Sequence, residues 1–528
     1  MTNSIGEFEE ADLFFITGTN TTAQHPLIGT RILNARERGA KIVLMDPRAI
    51  QLAHFADLHL RHNIGTDVAV LNAMMNVILA EDLYDKTFVE TRTEGFDKLK
   101  SVVERYSPRV AETISGIPAR DIEEAARLYA KADKAMIVYA MGITQHTTGV
   151  DNVKTLANLA MLTGHVGRPS TGVNPLRGQN NVQGACDMGG LPNVFSGYQP
   201  VADAAVRKKF EEAWGVEGLD DKPGLTISDM MTAARDGALK GLYIMGENPM
   251  LSDPDSSHIE LSLSNLEFLV VQDIFLTETA RLADVVLPSA SFAECEGTYT
   301  NTERRVQYSA KAVDPPGLAR PDWRIIADLS NRLGFPMNYT GPAEIMAEIN
   351  RLTPSYAGIT YARLKTGHGI PWPCPNADHP GTVYLHRDRF SKGLGSFLPC
   401  EFKPLAELPD EEYGFTLTTG RIYYHFHTGT MSRKASILDR EAPEPFVEVN
   451  PEDAKRLGIR NNDIVEVSSR RGAVRLKAEV TERVPRKVLF STFHFFESPI
   501  NRLTNPAHDP IAKIPEYKGC AAKIRRCS

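Results

Sequence analysis

The sequence predicts an α/β protein with two parallel-sheet domains and a C-terminal β-rich domain that is either a barrel or a sandwich. Strands alternate with helices over the first 180 residues, the alternation restarts near residue 241, and short strands follow one another without helices after residue 414. Strand–helix alternation is typical of parallel sheets, whereas successive short strands indicate a barrel or a sandwich. A chain of 528 residues is also too long for a single hydrophobic core.

The apolar runs of the first domain place three strands and three helices. The strands are predicted at residues 13–17, 41–45 and 135–140, and the helices at 26–38, 68–80 and 119–131. In parallel sheets, ligands lie at the carboxyl ends of the strands. Gly18, Asp46 and Gly142 each stand at such an end, so we expect them at a ligand-binding edge.

The second sheet and the barrel follow from the same kind of pattern. Strands predicted at 241–245, 268–271 and 283–288 form the second parallel sheet. Residues 339–402 are rich in Pro, Gly and aromatic residues and are predicted to be irregular. The barrel strands are predicted at 415–419, 446–449, 464–468, 474–480 and 488–492.

Composition excludes several classes of protein. The net charge is −7 and the basic residues are scattered, which argues against a nucleic-acid-binding protein. No apolar run approaches the roughly 20 residues that span a bilayer, and the acidic N-terminal stretch is not a signal peptide. None of the six cysteines forms a CxxC pair, which argues against zinc or an iron–sulfur cluster held by this chain alone and weakly indicates a reducing compartment.

Two polar groups at predicted strand ends leave alternatives open. Asp46, just after the second strand, suits either a ribose hydroxyl or the cap of a helix. The segment Gly65-Thr66-Asp67 precedes a helix, where it could bind phosphate or guanine or only cap the helix.

The segment from Arg177 to Gly189 is the most unusual stretch of the chain. Its thirteen residues include one cation, four side-chain amides and three glycines. The guanidinium fork suits a carboxylate or a phosphate, and the amides offer paired donors and acceptors. The composition predicts a loop for a flat, polar, anionic ligand, with a polar turn that caps a helix as the alternative.

Two further clusters carry weaker signals. His425 and His427 stand two residues apart, so in a strand they would share one face and could form part of a metal pair, although ligand-contacting loop residues are the favoured interpretation. Glu294-Cys295-Glu296-Gly297 reads by default as a solvated turn. No GxGxxG, Walker A, HExxH or GxSxG motif is present, so the common nucleotide-dependent and hydrolytic classes lose support.

Taken in order, these clusters resemble the molybdopterin oxidoreductase superfamily. Its enzymes hold Mo or W with two molybdopterin guanine dinucleotides (MGD), and the chain is most similar to the catalytic subunit of a formate dehydrogenase. The resemblance runs from residue 1 to about residue 524 and is most specific in the Met1–Ile5 opening and in residues 173–188. It implies two Rossmann-like domains and a double-psi type of barrel, divided at 1–179, 180–342, 343–384 and 385–528.

The resemblance also implies a role for individual residues. Arg177 would hold the substrate carboxylate. One guanine dinucleotide would contact Gly18, Asn20, Asp46, Arg48, Gly65, Thr66 and Asp67. The other would contact Met245, Gly246, Glu247, Asn248, Gln272 and Asp273. The pterins and the metal would lie next to Met141, Gly142, Gln145, Gly178 and Gln179. The barrel domain would close over the cofactor with Thr419, Gly420, Arg421, His427, Thr428, Asn501 and Lys518.

The implied activity is the oxidation of formate to CO2, with iron–sulfur or other electron-transfer subunits as partners. A nitrate-reductase-like enzyme and a cofactor-free structural subunit of an electron-transfer complex are the alternatives. The expected compartment is the cytoplasm, or the periplasm if an export signal lies upstream.

One departure from the family pattern is large. Family members begin with a cysteine motif for a 4Fe–4S cluster, followed by a selenocysteine or cysteine that ligates the metal, and this sequence has neither. We therefore expect an incomplete catalytic subunit, inactive alone, in which a selenocysteine codon has been read as a stop. We also expect poor solubility, with apolar surface exposed near residues 241–330.

Overall fold

The computed structural model describes residues 1–527 and divides into two compact units. Unit 1 contains Met1–Leu176, Leu251–Ser257 and the chain from Tyr384 onward. Unit 2 contains Arg177–Met250 and His258–Val383. The predicted division into four segments remains a prediction.

A five-stranded parallel sheet forms the first half of unit 1. Its strands lie in the order Leu58–Leu60, Lys41–Met45, Leu13–Thr17, Ala135–Tyr139 and Gly172–Pro175. The central strand Leu13–Thr17 is buried along its whole length, because helices cover both faces of the sheet. The predicted strands are confirmed, and the two short outer strands were missed because neither contains a long apolar run.

Alternate residues of these strands feed two separate cores. Phe15 and Ile137 pack in one core with the helices Asp67–Ala80 and Ala119–Lys131. Phe14 and Met136 pack in the other with the helix Pro26–Glu37. The remaining α-helices of this half are Thr21–Gln24, Lys86–Arg92, Phe96–Val103, Pro108–Ser115, Met141–Thr144 and Gly149–Leu162.

The C-terminal part of unit 1 is a closed six-stranded barrel around its own apolar core. Around the barrel the strands are Phe415–Gly420, Val488–Thr492, Phe446–Val449, Gly472–Val480, Ile464–Ser469 and Cys520–Arg526. The closed barrel confirms the predicted class. Its last strand was missed because small and basic residues hide its apolar side.

Unit 2 contains a second parallel sheet, as predicted. Its strands lie in the order Val285–Pro288, Phe268–Asp273 and Gly241–Met245. Tyr243, Met245 and Phe268 are 38%, 47% and 52% exposed, which agrees with the expected apolar surface in this region. Unit 2 also contains an antiparallel sheet of Gly297–Thr300, Arg305–Ser309 and Ile370–Pro371. Its helices include Val182–Asp187, Ala204–Trp214, Ile227–Arg235 and Asp322–Arg332.

The prediction that residues 339–402 are irregular is wrong in part. The helix Pro342–Leu352 begins with Pro at its first turn, a position that Pro tolerates, and buries Met346 and Leu352. A second helix, Tyr361–Thr366, is capped by Thr360. Both helices are too short for a clear apolar period. Within residues 1–527, no helix combines the length and the hydropathy needed to cross a membrane.

The turn at Gly18 generates a stability prediction. Gly18 has a φ of +57°, and a Cβ there would lie 2.6 Å from the backbone nitrogen of Ile143. Gly458 has a φ of +65° with nothing within 4 Å. Because Gly18→Ala adds a backbone clash to the φ strain, we expect it to cost about 3 kcal/mol, against about 1 kcal/mol for Gly458→Ala.

Native-state hydrogen exchange of the amides in Leu13–Thr17 measures the cost of each substitution. Equal costs for the two variants would contradict the close approach of the two loops.

Candidate functional site

The strand ends of the first sheet meet at one edge, as the sequence predicts. Thr17 lies opposite both Met45 and Tyr139 in parallel register. Gly18 follows Thr17, and its carbonyl oxygen accepts a hydrogen bond from the Gly142 nitrogen at 2.9 Å. This edge therefore brings together loops that are more than 100 residues apart in sequence.

Asp46 forms a local turn at this edge and does not cap a helix. Its Oδ1 accepts a hydrogen bond from the Arg48 nitrogen at 2.9 Å, and the next helical segment is preceded by Ile50. Burial raises the pKa of Asp46, although the neighbouring Arg48, His62 and His59 oppose that shift. The alternative of a helix cap is therefore wrong.

The side chain of Arg48 joins the sheet edge to the barrel. Its Nε and Nη2 donate to the two carboxylate oxygens of Glu448 at 3.0 and 2.7 Å. Its guanidinium also lies 3.4 Å from the ring centroid of Phe490. The Arg48 guanidinium, which was predicted to contact a dinucleotide, thus contacts Glu448 and Phe490 of the protein itself.

Asp67 carries a buried carboxylate that is only half satisfied. Its Oδ1 lies 3.3 Å from His62 Nε2, and its Oδ2 has no hydrogen-bond partner within residues 1–527. Burial alone would raise the pKa of Asp67, but the nearby His62 lowers it overall. Burial would likewise lower the pKa of His62, and Asp67 raises it. An unpaired buried acceptor is costly, so this oxygen suits a polar ligand group.

Thr66 stands at the N-cap position of the helix that begins at Asp67. Its hydroxyl donates to the Asn63 carbonyl oxygen at 2.6 Å, and no side-chain cap bond is made. Gly65 precedes it with a φ of +82°. Helix capping, the alternative for this segment, is therefore wrong.

Lys518 and Arg421 are half-buried cations of unit 1 that form no ion pair with an acid within residues 1–527. Lys518 Nζ donates to the Thr419 carbonyl oxygen at 2.7 Å, and the backbone nitrogen of Lys518 donates to Gln145. Burial lowers the pKa of Lys518 to about 8, against the attraction of Asp46. Burial also lowers the pKa of Arg421, and the Nε of Arg421 has no partner in the described chain. Such uncompensated positive charge suits a buried anion.

The two histidines lie in a loop and not in a strand, so they share no strand face. His425 is buried with Nε2 2.7 Å from the Ala442 carbonyl oxygen and Nδ1 3.2 Å from Ser432 Oγ, so both ring nitrogens are engaged. His427 has a φ of +48°, and burial together with Arg421 lowers its pKa to about 4. In residues 1–527 no group of three or more His, Cys, Asp or Glu is placed to hold a metal ion.

The other predicted barrel residues make internal contacts. Asn501 Nδ2 donates to the carbonyl oxygens of Leu251 and Ser252 at 2.8 and 3.1 Å, and its Oδ1 is buried without a partner in residues 1–527. Thr428 and Thr430 share a hydrogen bond at 2.9 Å. The two hydrogen bonds from Asn501 Nδ2 hold the short segment Leu251–Ser257 in unit 1.

The predicted residues of unit 2 gather at the carboxyl edge of its parallel sheet. The Gly246 nitrogen donates to the Gln272 carbonyl oxygen at 2.9 Å, and Gln272 Nε2 donates to Asp322 at 2.7 Å. Burial raises the pKa values of Glu247 and Asp273. Asn248 is engaged with Glu278 and Thr279, a use that the sequence did not predict.

The segment that begins at Arg177 also lies in unit 2. The Arg177 nitrogen donates to Thr302 Oγ1 at 3.0 Å, and Nη1 lies 3.8 Å from Cys186 Sγ. Asn181 precedes the helix Val182–Asp187 without a side-chain cap bond, and its Oδ1 accepts from the Thr300 nitrogen. The segment is therefore no simple cap, and Gln179 is exposed on it.

Sequence reasoning missed the residues that hold these clusters in place. Glu448, His62 and Asp187 are buried acids or bases that engage predicted site residues or their neighbours. The signal for Glu448 was present, because an acid interrupts the apolar run Phe446–Val449. Asp187 carried no such signal, since its partners are spread along the sequence.

Comparison with known proteins identifies the family. Residues 1–332 match the family described as Molybdopterin oxidoreductase, and residues 415–521 match the Molydopterin dinucleotide binding domain. The chain is 54% identical to the F420-dependent formate dehydrogenase subunit alpha of Methanocaldococcus jannaschii, over 100% of this chain and 78% of the relative. It is 43% identical to formate dehydrogenase H of Escherichia coli, over 99% and 74%.

A solved structure shares the fold. Acetylene hydratase from Pelobacter acetylenicus matches with a TM-score of 0.79 at 21% identity, over 99% of this chain and 79% of that one. The chain belongs to the molybdopterin oxidoreductase family and carries a molybdopterin dinucleotide binding domain.

The residues of unit 1 fit such a dinucleotide. Lys518 and Arg421 would offer half-buried positive charge to a pyrophosphate, and the unpartnered Asp67 Oδ2 would offer an acceptor to amino groups. Phosphate groups bind most strongly to charged donors that are held away from water.

The depressed pKa of Lys518 gives a test of this fit. Lys518 loses its proton as pH rises through about 8, so its attraction for an anion is present below that pH and lost above it. We expect the dissociation constant of GDP for the protein to rise about tenfold between pH 7 and pH 9.5, the effect of one charged hydrogen bond.

Calorimetric titration measures this dependence in matched variants. Lys518→Met should remove the step near pH 8, whereas Lys523→Met, at an exposed lysine that pairs with Glu412, should keep it. A step that survives in Lys518→Met would assign it to another group.

Proposed function

We propose that this member of the molybdopterin oxidoreductase family oxidises formate to CO2 as a catalytic subunit. Relatives named as formate dehydrogenases align with nearly the whole chain at 43–54% identity. The observation that carries the proposal is Arg177, which stands in the segment that most resembles formate dehydrogenases. A guanidinium fork binds a small carboxylate through two parallel hydrogen bonds.

Two molybdopterin guanine dinucleotides with Mo or W are the proposed cofactor. The edge of the first sheet and the barrel would hold one dinucleotide through Gly18, Asn20, Asp67, Arg421 and Lys518. Met245, Gly246, Glu247, Gln272 and Asp273 of unit 2 would hold the other. The raised pKa of Glu247 and of Asp273 favours protonated or hydrogen-bonded carboxyls, which suits contact with ribose or guanine.

Arg177 acts on the substrate by position and charge. Its fork orients formate and offsets the negative charge as the anion leaves water. The bound cofactor supplies the metal that accepts the two electrons. His427, whose depressed pKa keeps it neutral near pH 7, serves as a donor or acceptor in the loop and adds no positive charge.

The electrons leave through iron–sulfur or other electron-transfer subunits, which are the proposed partners. The proposed compartment is the cytoplasm. All six cysteines are free thiols, as a reducing compartment maintains.

Substitution of Arg177 tests the substrate assignment. Arg177→Lys keeps the charge but loses the fork, so we expect the KM for formate to rise about 30-fold with a smaller change in kcat. The enzyme assayed with formate and a dye is loaded with cofactor and carries, fused upstream, the cluster and metal-ligand segment that the family resemblance implies. Arg351→Lys, at an exposed arginine, serves as the control.

An unchanged KM in Arg177→Lys would refute the role of Arg177. Nitrate reduction without formate oxidation by the unaltered loaded enzyme would instead favour the nitrate-reductase-like alternative.

The inactivity of the 528-residue polypeptide alone is a separate prediction. Its six cysteines lack the spacing that holds an iron–sulfur cluster, so electrons have no cluster in this chain through which to leave. We expect the purified polypeptide to show no dye-linked formate oxidation after loading with cofactor. Sustained turnover by that preparation would overturn this expectation.

A further inference from the structure

Asp187 is a buried carboxylate held by four neutral donors. Gln183 Nε2 and the Tyr198 hydroxyl donate to Oδ1 at 2.7 and 2.8 Å. The Tyr356 hydroxyl and Trp372 Nε1 donate to Oδ2 at 2.5 and 2.6 Å. Asp187 is 0% exposed, so each of these bonds replaces one that water would have made.

The four donors come from separate parts of unit 2. Gln183 belongs to the same short helix, Val182–Asp187, and Tyr198 follows a few residues later. Tyr356 and Trp372 lie about 170 and 185 residues further along the chain. A single carboxylate therefore gathers three distant stretches of chain against one helix.

The strand Gly297–Thr300 and the residues just after it hold the Arg177 segment at its first residue and at Asn181. The Arg177 nitrogen donates to Thr302 Oγ1, and the Thr300 nitrogen donates to Asn181 Oδ1 at 2.9 Å. Thr300 Oγ1 also shares a hydrogen bond with the Tyr356 hydroxyl at 3.1 Å. This threonine arm, defined as Thr300 and Thr302, thus connects to Arg177 on one side and to Asp187 on the other.

Cys186 completes a ring of contacts that begins and ends at Arg177. It precedes Asp187 on the helix, and its Sγ lies 3.8 Å from Arg177 Nη1. A path of contacts now runs from Arg177 through the threonine arm, Tyr356 and Asp187 to Cys186, and back to the guanidinium. A ring of this kind fixes the direction of a long side chain at both its backbone and its tip.

We propose that Asp187 is a positioning residue that sets the direction of the Arg177 guanidinium through the helix Val182–Asp187. The inference rests on the proposed function for its biological meaning, because the oriented fork is the one assigned to formate. The ring of contacts itself does not depend on the substrate, because it is made entirely by residues of this chain.

The four donors favour a carboxylate at position 187. Trp372 Nε1 can only donate, whereas the Gln183 amide can turn and the tyrosine hydroxyls can accept. Asp187→Asn therefore weakens the charge-assisted bonds and forces Gln183 or a tyrosine hydroxyl to reverse its role. Tyr198→Phe is gentler because it removes one hydroxyl and leaves the carboxylate in place.

Site-resolved thiol labelling tests the ring in the full chain. Cys186 and Cys527 are both half-buried, so a thiol reagent followed by peptide mass spectrometry reports each separately. We expect Tyr198→Phe to raise the labelling rate of Cys186 about fivefold, the effect of one lost hydrogen bond, and Asp187→Asn to raise it further. The rate for Cys527, in unit 1, should stay constant.

Tyr308→Phe is the matched control. Tyr308 also donates to a carboxylate of unit 2, with its hydroxyl 2.8 Å from Glu296 Oε2, but takes no part in the ring. We expect it to leave the labelling of Cys186 unchanged. Unchanged labelling in Tyr198→Phe, or an equal rise in Tyr308→Phe, overturns the proposal.

Kinetics of the cofactor-loaded enzyme that carries the fused upstream segment supply the second readout. Tyr198→Phe should raise the KM for formate about fivefold and change kcat by less than about twofold, since only the direction of the fork is disturbed. A KM that stays unchanged while the labelling of Cys186 rises would overturn the link to Arg177. Absence of formate oxidation in the unaltered enzyme would refute the proposed function, and the labelling result would still decide the ring.

Discussion

The ion pair between Arg48 and Glu448 is the constraint on which the candidate site of unit 1 depends. It is bidentate, and its side chains are only 13% and 1% exposed. Arg483 places a second cation 2.9 Å from the same carboxylate, and Phe490 covers the face of the Arg48 guanidinium. A buried pair of this kind contributes little net stability but is expensive to break, so it acts chiefly as a register between the sheet edge and the barrel.

The Arg48–Glu448 ion pair determines which positive charges remain unpaired at the candidate site of unit 1. Arg48 is neutralised by Glu448, whereas Lys518 and Arg421 are not neutralised by any acid in residues 1–527. The protein thus tolerates a local excess of positive charge beside a pair that is fully balanced. Burial, more than the neighbouring cations, lowers the pKa of Lys518 to about 8, and an anionic ligand would favour its charged form.

The sequence predicted what depends on local pattern and missed what depends on distant partners. The strands Leu13–Thr17 and Lys41–Met45 are apolar except for Thr17 and Lys41. The strand-end rule then located Gly18, Asp46 and Gly142 at one edge. The strand Leu58–Leu60 has only three residues, which is too short for any period to show. The family resemblance predicted the site residues. It could not predict the partners that hold those residues in place.

Arg48 illustrates that limit, since its commitment to Glu448 becomes visible only when the chain is folded. Asp187 is similar: its tyrosine and tryptophan partners have no sequence relation to it that composition or spacing could reveal. The capping alternative failed for a local reason. Thr66 stands at a cap position, but its hydroxyl donates to the carbonyl oxygen of Asn63, three residues earlier, and accepts no hydrogen bond from the helix.

The discontinuous composition of unit 1 has a consequence for synthesis on the ribosome. Arg48 is made 400 residues before Glu448, which at about 5–20 residues per second leaves it unpaired for about 20–80 s. Once the strand Gly172–Pro175 has been made, the first sheet has all its strands, but its charged edge has no barrel to close it. That edge therefore stays open on the nascent chain until the barrel strands have emerged.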